Sequence, residues 1–482
     1  MIELRPILLV VGVLLATLGC AMMIPALYDL AVGNDDWRIF SFSATITLFV
    51  GIGLAFASRG RTENFTIKQA FLLTNVAWLT VTAFGALPIA WSQMDVSYTD
   101  AFFESMSGIT TTGATVLTGL DTAPPGILLW RGLLQWLGGL GIIVMAISVL
   151  PMLGVGGMQL FKVEAFDTAG KVMPRATQIA GYIVIIYIVL TFVCSVAYYT
   201  IGMSPFDAVA HALTTISTGG FSSHDASLAY FSNEWVEVIA IIFMIFGSLP
   251  FVLYVKAYHG RLSSLYSDSQ VRWFFATVAL FSVLAWLSYQ SAHAEPHETR
   301  IITVVFNVVS IMTGTGYATT AYDNWSAMAV VVFFILMFIG GCSGSTSCGI
   351  KIFRFQVIIE MIRCRLYAVL YPKGVFVERY NDAPISDTVM SAVMAVFFLF
   401  LATFAVAAAI LQFIGLDTLT ALSAAASCVS NVGPGLGPIV GPVGTYAELP
   451  DSAKWVLSAT MLIGRLEVFT VIVLFTPAFW RA

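Results

Sequence analysis

The stretch SGITTTGA, Ser107–Ala114, is a short polar run with hydrophobic sequence on both sides. Altered copies of it recur as STGGF at Ser217–Phe221, TGTGYA at Thr313–Ala318 and SCVSNVGPG at Ser427–Gly435. Aligned on one glycine, the runs select Gly113, Gly219, Gly316 and Gly433. Their spacing, roughly 100 residues, is too long for a solenoid but suits a repeated membrane unit. The sequence therefore predicts four copies of one unit, each contributing one short loop.

The composition is that of an integral membrane protein. Of its 482 residues, 59% are hydrophobic and only 10% are charged, whereas soluble domains carry about 25% charged residues. Many apolar runs are long enough to cross about 30 Å of hydrocarbon as helices. No sizeable segment remains for a catalytic or nucleotide-binding domain, and the spans show no metal cluster, nucleophile pair or paired carboxylates. We therefore expect a protein that is not an enzyme, has no organic cofactor and contacts membrane lipid, not nucleic acid.

The apolar segments predict an all-α polytopic membrane protein with ten transmembrane segments. Spans near 6–28 and 39–58 form an N-terminal two-helix extension at 1–66, and the first stays apolar beyond Cys20, which favours a retained span over a signal peptide. The rest form four pseudo-symmetric repeats of span, pore helix and span (M1–P–M2) around a central pore. The predicted repeats are 67–160, 161–260, 261–372 and 373–482, with spans at 69–92, 127–151, 177–202, 236–255, 272–291, from 327, 389–414 and 453–479.

A short, moderately apolar stretch precedes each loop. At about ten residues such stretches cannot cross a bilayer and fit re-entrant half-helices. They are Ala101–Met106, Phe206–Leu213, Thr303–Ile311 and Leu419–Ala426. Asp100, Asp207 and Asp417 lie at or near three of the starts, where we expect them to cap the helices, an interpretation favoured over ion binding.

Basic residues predict the orientation in the membrane. With the N- and C-termini in the cytoplasm, seventeen of the twenty-two Lys and Arg residues fall on the cytoplasmic side. Most acidic residues then lie outside, together with the four loops. This arrangement predicts an acidic vestibule that concentrates cations, although ordinary topological bias would give the same asymmetry.

The loops predict an ion-selective pore. Non-helical backbone at membrane depth survives where it is buried in protein or lines water. There its carbonyl oxygens replace the hydration shell of an alkali cation, and glycine permits the required positive φ. Flexible polar turns outside the membrane are the alternative. The candidate cation-binding residues of this filter are Thr111, Thr112, Gly113, Ser217, Thr218, Gly219, Gly314, Thr315, Gly316, Asn431, Val432 and Gly433.

The second span of the third repeat contains a Gly-Ser break that predicts a broken helix with a flexible loop below the pore loops. Each glycine costs a helix roughly 1 kcal/mol relative to alanine. A tight helix-packing patch of small residues is the alternative. The candidate gate residues are Gly340, Gly341, Cys342, Ser343, Gly344, Ser345, Thr346, Ser347 and Gly349, together with Arg465.

Two arginines within apolar sequence need a role. Arg465 lies in the middle of the predicted last span, where a buried charge is expensive. It either places a positive charge beside the pore or pairs structurally with Glu467 or with loop carbonyls. Arg131, at the outer end of its span, is expected to anchor the scaffold of the loops.

Further motifs carry a resemblance to a known family. They are Trp130-Arg131-Gly132, Gln135-Trp136 and Gly138-Gly139 after the first loop, Gly340 to Thr346, and Gly464-Arg465-Leu466-Glu467. With the loops, they make the chain similar over essentially its whole length to the Trk-type potassium uptake membrane subunits, the TrkH family of the Trk/Ktr/HKT superfamily.

The resemblance implies a function and partners. It implies potassium uptake across the bacterial inner membrane through a selectivity filter, with the Gly-Ser loop plugging the pore and moving for conduction. It further implies a homodimer and a cytosolic nucleotide-binding regulatory subunit through which ATP/ADP or NAD(H) acts. Gly113, where sodium-favouring relatives have serine, implies potassium selectivity, and the divergent fourth loop around Asn431 and Val432 implies rubidium passage and some sodium leakage.

One rival reading stays open. A broken-helix secondary transporter that couples sodium or protons to cation uptake would need inverted repeats and an acidic residue in mid-membrane. Glu467 comes nearest to that requirement.

The cytoplasmic loops at 156–177 and 363–387 are the predicted docking sites for a partner.

Overall fold

A computed structural model describes residues 3–60, 66–148, 176–292, 300–381 and 383–481. Most of the predicted docking loop at 156–177 and the end of the predicted span 127–151 lie outside the described residues. Within them, seven helices are long and apolar enough to cross a membrane, or nine if each of two bent helix pairs counts as one span. The long helices are Arg5–Val32, Trp37–Ala57, Ile67–Gly85 with its continuation Leu87–Ala90, Pro125–Ser148, Ala176–Thr200, Ser269–Ala292 and Asp387–Ile414.

The four half-helices are present, each slightly longer than predicted: Tyr98–Ile109, Pro205–Ile216, Ile301–Thr313 and Thr418–Ser430. We call them the first to fourth short helices. The loop that follows each is the correspondingly numbered glycine loop, which contains Gly113, Gly220, Gly316 or Gly433.

The predicted caps of two short helices were wrong. Asp417 does cap its helix, accepting from Thr420 N at 3.0 Å. The first two helices are instead capped by Ser97 and Ser204, whose hydroxyls accept the backbone N–H groups of Asp100 and Asp207. The two aspartates lie in the first turn, where the positive end of the helix dipole stabilises their negative charge. Their carboxylates also accept hydrogen bonds from the serine hydroxyls.

The predicted break in the third repeat is present. Helix Ala327–Met337 ends before the Gly-Ser motif, and helix Ile352–Leu370 begins after it. The ends of the intervening segment are held together by Gly340 N donating to Ile350 O at 2.9 Å and Ile350 N donating to Phe338 O at 3.0 Å. We call residues 340–349 the Gly-Ser loop.

Two more helices are broken where the sequence reading expected continuous spans. Glu234–Ser248 and Phe251–Tyr258 meet at 89°, and Asp451–Arg465 meets the Val468–Phe475 segment at 113°. Pro250 explains the first bend because it lacks a backbone N–H and pushes the preceding residue out of helical geometry. The second bend is at Glu467, whose φ is 60°.

The remaining elements are short. They comprise the helices Ser264–Ser267, Val468–Ile472 and Pro477–Trp480, the 3-10 turns Leu120–Thr122, Ser227–Phe231, Tyr322–Asn324 and Val473–Phe475, and strand Arg379–Tyr380 paired antiparallel with Ala383–Pro384.

Candidate ion-conducting site

The four glycine loops share one backbone conformation. Each has a left-handed residue one or two positions after the end of the short helix and a left-handed glycine two positions later. The first set is Thr111, Thr218, Gly314 and Asn431, with φ of 52°, 51°, 74° and 51°. The second set is Gly113, Gly220, Gly316 and Gly433, with φ of 84°, 76°, 81° and 105°.

This conformation corrects the register of the second loop, where Gly220 rather than Gly219 is the counterpart of the other glycines. Backbone hydrogen bonds agree: Gly219 N donates to Thr214 O at 2.9 Å, as Thr112 N donates to Ser107 O at 2.8 Å and Thr315 N to Ser310 O at 2.9 Å. The Thr-Gly pattern of the first and third loops pointed to Gly219, the first of two adjacent glycines in the second loop.

The loops form a closed ring. A Cβ atom added to Gly113 would lie 2.2 Å from Gly219 O, and one on Gly220 would lie 1.8 Å from Thr315 O. A Cβ atom added to Gly316 would lie 2.1 Å from Val432 O, and one added to Gly433 would lie 2.6 Å from Thr112 O. Each glycine therefore lies against a carbonyl of the next loop, from first to second, third, fourth and back to first.

Arg131 braces the first two loops, as expected of an anchor. Its Nε donates to Glu104 Oε1 at 2.7 Å, its Nη1 to Ser222 O at 2.8 Å and its Nη2 to Thr115 Oγ1 at 3.1 Å. Glu104 also accepts from Val116 N at 2.9 Å. Since Arg131 and Glu104 are both buried, the ion pair fixes the segments that follow the glycines of the first two loops from within the protein.

Several carboxylates of the predicted acidic vestibule are paired with basic side chains. Glu104 is buried against Arg131, and Asp100 accepts from Lys454 Nζ at 2.5 Å. Asp121 and Asp207 both face His224. Asp225 lines the cavity above the ring, together with Gly113, Gly220, Gly316 and Gly433.

The Gly-Ser loop packs directly against the glycine loops. Thr346 Oγ1 accepts from Thr218 Oγ1 at 3.1 Å, and Cys348 Sγ lies 3.7 Å from Thr111 Oγ1. A Cβ on Gly314 would lie 3.3 Å from Cys348 Cβ. The loop therefore touches three of the four glycine loops.

The bent helix at Pro250 receives the Gly-Ser loop. Gly247 O accepts from Thr346 N at 3.1 Å, and Ser248 O accepts from Cys342 N at 3.1 Å. These carbonyls are freed by the helix break, so the break and the loop satisfy one another's backbone groups.

Arg465 contacts the Gly-Ser loop, not Glu467. Its Nη1 donates to Thr346 O at 3.2 Å and contacts Cys348 Sγ. Glu467 instead accepts from Arg354 Nη2 at 2.6 Å. Of the partners considered for a structural role of Arg465, Glu467 is therefore wrong and a loop carbonyl is observed, while a role for its charge beside the pore stays a prediction.

The cysteines Cys342 and Cys348 are free thiols. Among the described residues, no group of three or more His, Cys, Asp or Glu side chains is placed to hold a metal ion.

Comparisons with known proteins identify the family. A family model named TrkH, described as a cation transport protein, matches residues 38–482. The chain belongs to the TrkH family. It is 45% identical over 477 residues to the Trk system potassium uptake protein TrkI of Halomonas elongata, covering 99% of this chain and 97% of that protein. It is 37% identical over 491 residues to TrkH of Vibrio parahaemolyticus, covering 100% of both.

A solved TrkH structure has the same fold. The crystal structure of the potassium transporter TrkH from Vibrio parahaemolyticus matches with a TM-score of 0.92 and 34% identity, and the match covers 100% of both chains. The resemblance inferred from the motifs is thus confirmed. As a TrkH protein, the chain is a multi-pass membrane transporter and not an enzyme.

Proposed function

We propose that this chain takes up potassium through one central pore whose selectivity filter is formed by the four glycine loops. The observation that supports this proposal most directly is the closed ring, in which each left-handed glycine lies against a carbonyl of the next loop. Four loops around one axis provide a cage of carbonyl oxygens that replaces the water shell of a cation. The C-terminal ends of the short helices lead into the loops and add a negative potential.

The architecture we infer has ten spans. It counts the three interrupted helices, at 234–258, 327–370 and 451–475, as one span each beside the seven long helices. The spans divide into the hairpin 1–66 and the repeats 67–160, 161–260, 261–372 and 373–482. We place both termini in the cytoplasm of a bacterial cell with the protein in the inner membrane, since the basic residues cluster on that side.

The candidate filter residues are those of the sequence reading with Gly220 added. We assign the carbonyls of Thr112, Gly219, Thr315 and Val432 to the ring, since these oxygens lie against the glycines. Potassium is the proposed substrate because relatives are named potassium uptake proteins. Rubidium passage and some sodium leakage follow from the divergent fourth loop.

We propose that the Gly-Ser loop is the gate. It is largely buried beneath three glycine loops and is held there by Arg465 and by the broken helix at Pro250. Conduction requires the loop to leave this position. The Trk system names of relatives support a regulatory partner, and we propose a nucleotide-binding cytosolic subunit and a homodimer, with ATP/ADP or NAD(H) acting through that subunit.

Sodium or proton coupling has less support. The rival mechanism needs an ionisable group in mid-membrane, and Glu467 was the candidate. Its carboxylate is ion-paired with Arg354 at 2.6 Å. A paired carboxylate is a poor carrier of a transported cation, so we favour conduction through the filter.

The test is uptake of rubidium and sodium into liposomes that contain the purified protein. Gly316→Ser would place a side chain against Val432 O and is expected to change the rubidium-to-sodium ratio. Gly33→Ser is the matched control, because Gly33 has a similar φ of 77° but no neighbour within 4 Å. An unchanged ratio in Gly316→Ser would overturn the filter assignment.

A further inference from the structure

Glycine at position 219 is not required by its backbone. The left-handed glycine of the second loop is Gly220, whereas the φ angle of Gly219 is not in the left-handed region. Its counterparts in the other loops, Thr112, Thr315 and Val432, all carry side chains. What excludes a side chain at 219 must therefore be space.

That space is filled by Gln135, a fully buried residue of helix Pro125–Ser148. A Cβ on Gly219 would lie 2.4 Å from Gln135 Cδ and 2.8 Å from its Nε2. Real Cβ atoms do not approach other atoms so closely. A side chain from the first repeat thus takes the place of one that the second loop lacks.

The Gln135 amide also binds the loop at two points. Its Nε2 donates to Gly219 O at 2.6 Å, and its Oε1 accepts from Phe221 N at 3.0 Å. These bonds straddle Gly220. The amide therefore holds the peptide planes on both sides of the left-handed glycine, which sets where the second corner of the ring lies.

The hydrogen bond makes the ring electrostatically uneven. In the described part of the chain, Gly219 O accepts a side-chain hydrogen bond, while the carbonyls of Thr112, Thr315 and Val432 accept none. A carbonyl oxygen has two lone pairs, and a donor on one of them competes with a cation for the oxygen. The second corner therefore attracts a cation less strongly than its neighbours do.

We propose that Gln135 is a positioning residue that determines cation specificity, acting through the Gly219 carbonyl and the Phe221 amide. The inference rests on the proposed function, since it assigns Gln135 a part in the filter. Its two elements are separable: the side chain fills the space at position 219, and the amide sets the field and position of one carbonyl.

The experiment compares rubidium and sodium uptake by the full-length protein in liposomes. Gln135→Ala is expected to lower the rubidium-to-sodium ratio about fivefold, the factor that corresponds to one ordinary hydrogen bond. Gln135→Glu, which keeps the size and one acceptor oxygen but loses the donor, is expected to lower the ratio as well. The control is Gln69→Ala, another buried glutamine with two hydrogen-bonding partners, remote from the glycine loops.

A size-compensating pair tests the space argument. Gly219→Thr alone is expected to reduce uptake of both ions about tenfold, because the new side chain overlaps Gln135. Adding Gln135→Ala to Gly219→Thr gives the second loop the threonine found in the first and third loops, and uptake is expected to recover. Uptake is normalised to the amount of folded protein in the liposomes, so poor expression of one variant does not decide the result.

The outcomes separate this inference from the proposed function. If Gly316→Ser changes the ratio while Gln135→Ala and Gln135→Glu leave it at the wild-type value, the role of Gln135 is overturned and the filter stands. If neither position affects the ratio, the filter assignment itself fails. A double variant no better than Gly219→Thr alone would overturn the space argument.

Discussion

Arg131 and Glu104 form the most deeply buried ion pair around the glycine loops, with side chains 1% and 0% exposed. Removing one partner leaves the other charge unpaired inside the protein. Glu104→Gln is therefore expected to destabilise the protein by about 3–5 kcal/mol, measured by thermal unfolding in detergent.

Asp35→Asn is the control for that change. Asp35 pairs with Arg38 at 3.5 Å, with both side chains more than two-thirds exposed, so its loss is expected to cost at most about 1 kcal/mol. Equal effects of the two substitutions would contradict the anchoring role of the buried pair.

His224, in the loop after the second glycine loop, is expected to make the stability of that region depend on pH. Burial alone lowers the pKa of His224, but the Asp207 and Asp121 carboxylates outweigh burial and raise it above 6.5. Its Nδ1 lies 2.7 Å from Asp121 Oδ1, and its ring stacks on Tyr230 at 3.5 Å. His211 also faces it, with the two ring centroids 6.4 Å apart.

Because the folded pKa is raised, the stabilisation is fully present below pH 6.5 and is lost as pH rises through the folded pKa. It is on the order of 1 kcal/mol or less, since Asp121 is nearly half exposed. Thermal unfolding of wild type is expected to lose this increment as the pH rises above 6.5, measured relative to His224→Gln, which lacks it. Parallel pH profiles would sink the assignment.

Residue identities predicted part of the site. Glycine with positive φ was readable at Gly113, Gly316 and Gly433, because a turn after a half-helix needs that residue. Gly220 was missed because sequence spacing does not show where a helix ends. The partner of Glu104 was not predictable either, since that contact joins residues 27 positions apart in different elements.

The Gly-Ser loop is held in place by hydrogen bonds that can be removed without changing its shape. Thr346 Oγ1 donates to Gly247 O at 2.8 Å and accepts from Thr218 Oγ1 at 3.1 Å. Thr346 Oγ1 also lies 3.2 Å from Ile216 O, and Thr346→Val removes all three contacts while it keeps the volume. Each bond is worth about 1 kcal/mol net, so basal rubidium uptake is expected to rise about fivefold or more if the loop is the gate.

Thr277→Val serves as the control for the gate prediction. Among the described residues, the exposed Thr277 hydroxyl bonds only to Trp273 O, one turn earlier in its own helix. Uptake should stay at the wild-type level in this variant. A Thr346→Val protein with unchanged basal uptake would mean that these bonds do not restrain conduction.

Among the helices and loops, those whose formation depends on amino-acid composition could be predicted from the sequence. The half-helices were readable from length and polarity, and the break in the third repeat from its glycines. Pro250 could also have predicted the first bend, but the apolar residues on both sides of it favoured one continuous span. The bend at Glu467 was not visible, because a non-glycine residue with φ of 60° is imposed by tertiary contacts such as the pair with Arg354.

The ring depends on the whole molecule because each loop is supported from another repeat. Gln135 of the first repeat binds the second loop, and Tyr317 of the third loop contacts Thr214 Oγ1 of the second short helix at 2.5 Å. Asn431 of the fourth loop donates to Thr112 Oγ1 at 2.9 Å. The number of loops followed from the sequence; these cross-repeat supports did not, since they join residues roughly 100 to 300 positions apart.

The most direct measurement of the central claim is the rubidium-to-sodium uptake ratio of four single variants, with serine in turn at Gly113, Gly220, Gly316 and Gly433. A Cβ at each would lie within 2.6 Å of a carbonyl of the neighbouring loop. If the four loops form one filter, every variant shifts the ratio, whereas Gly33→Ser does not. A ratio that stays at the wild-type value in any of the four would contradict a single pore lined by all four loops.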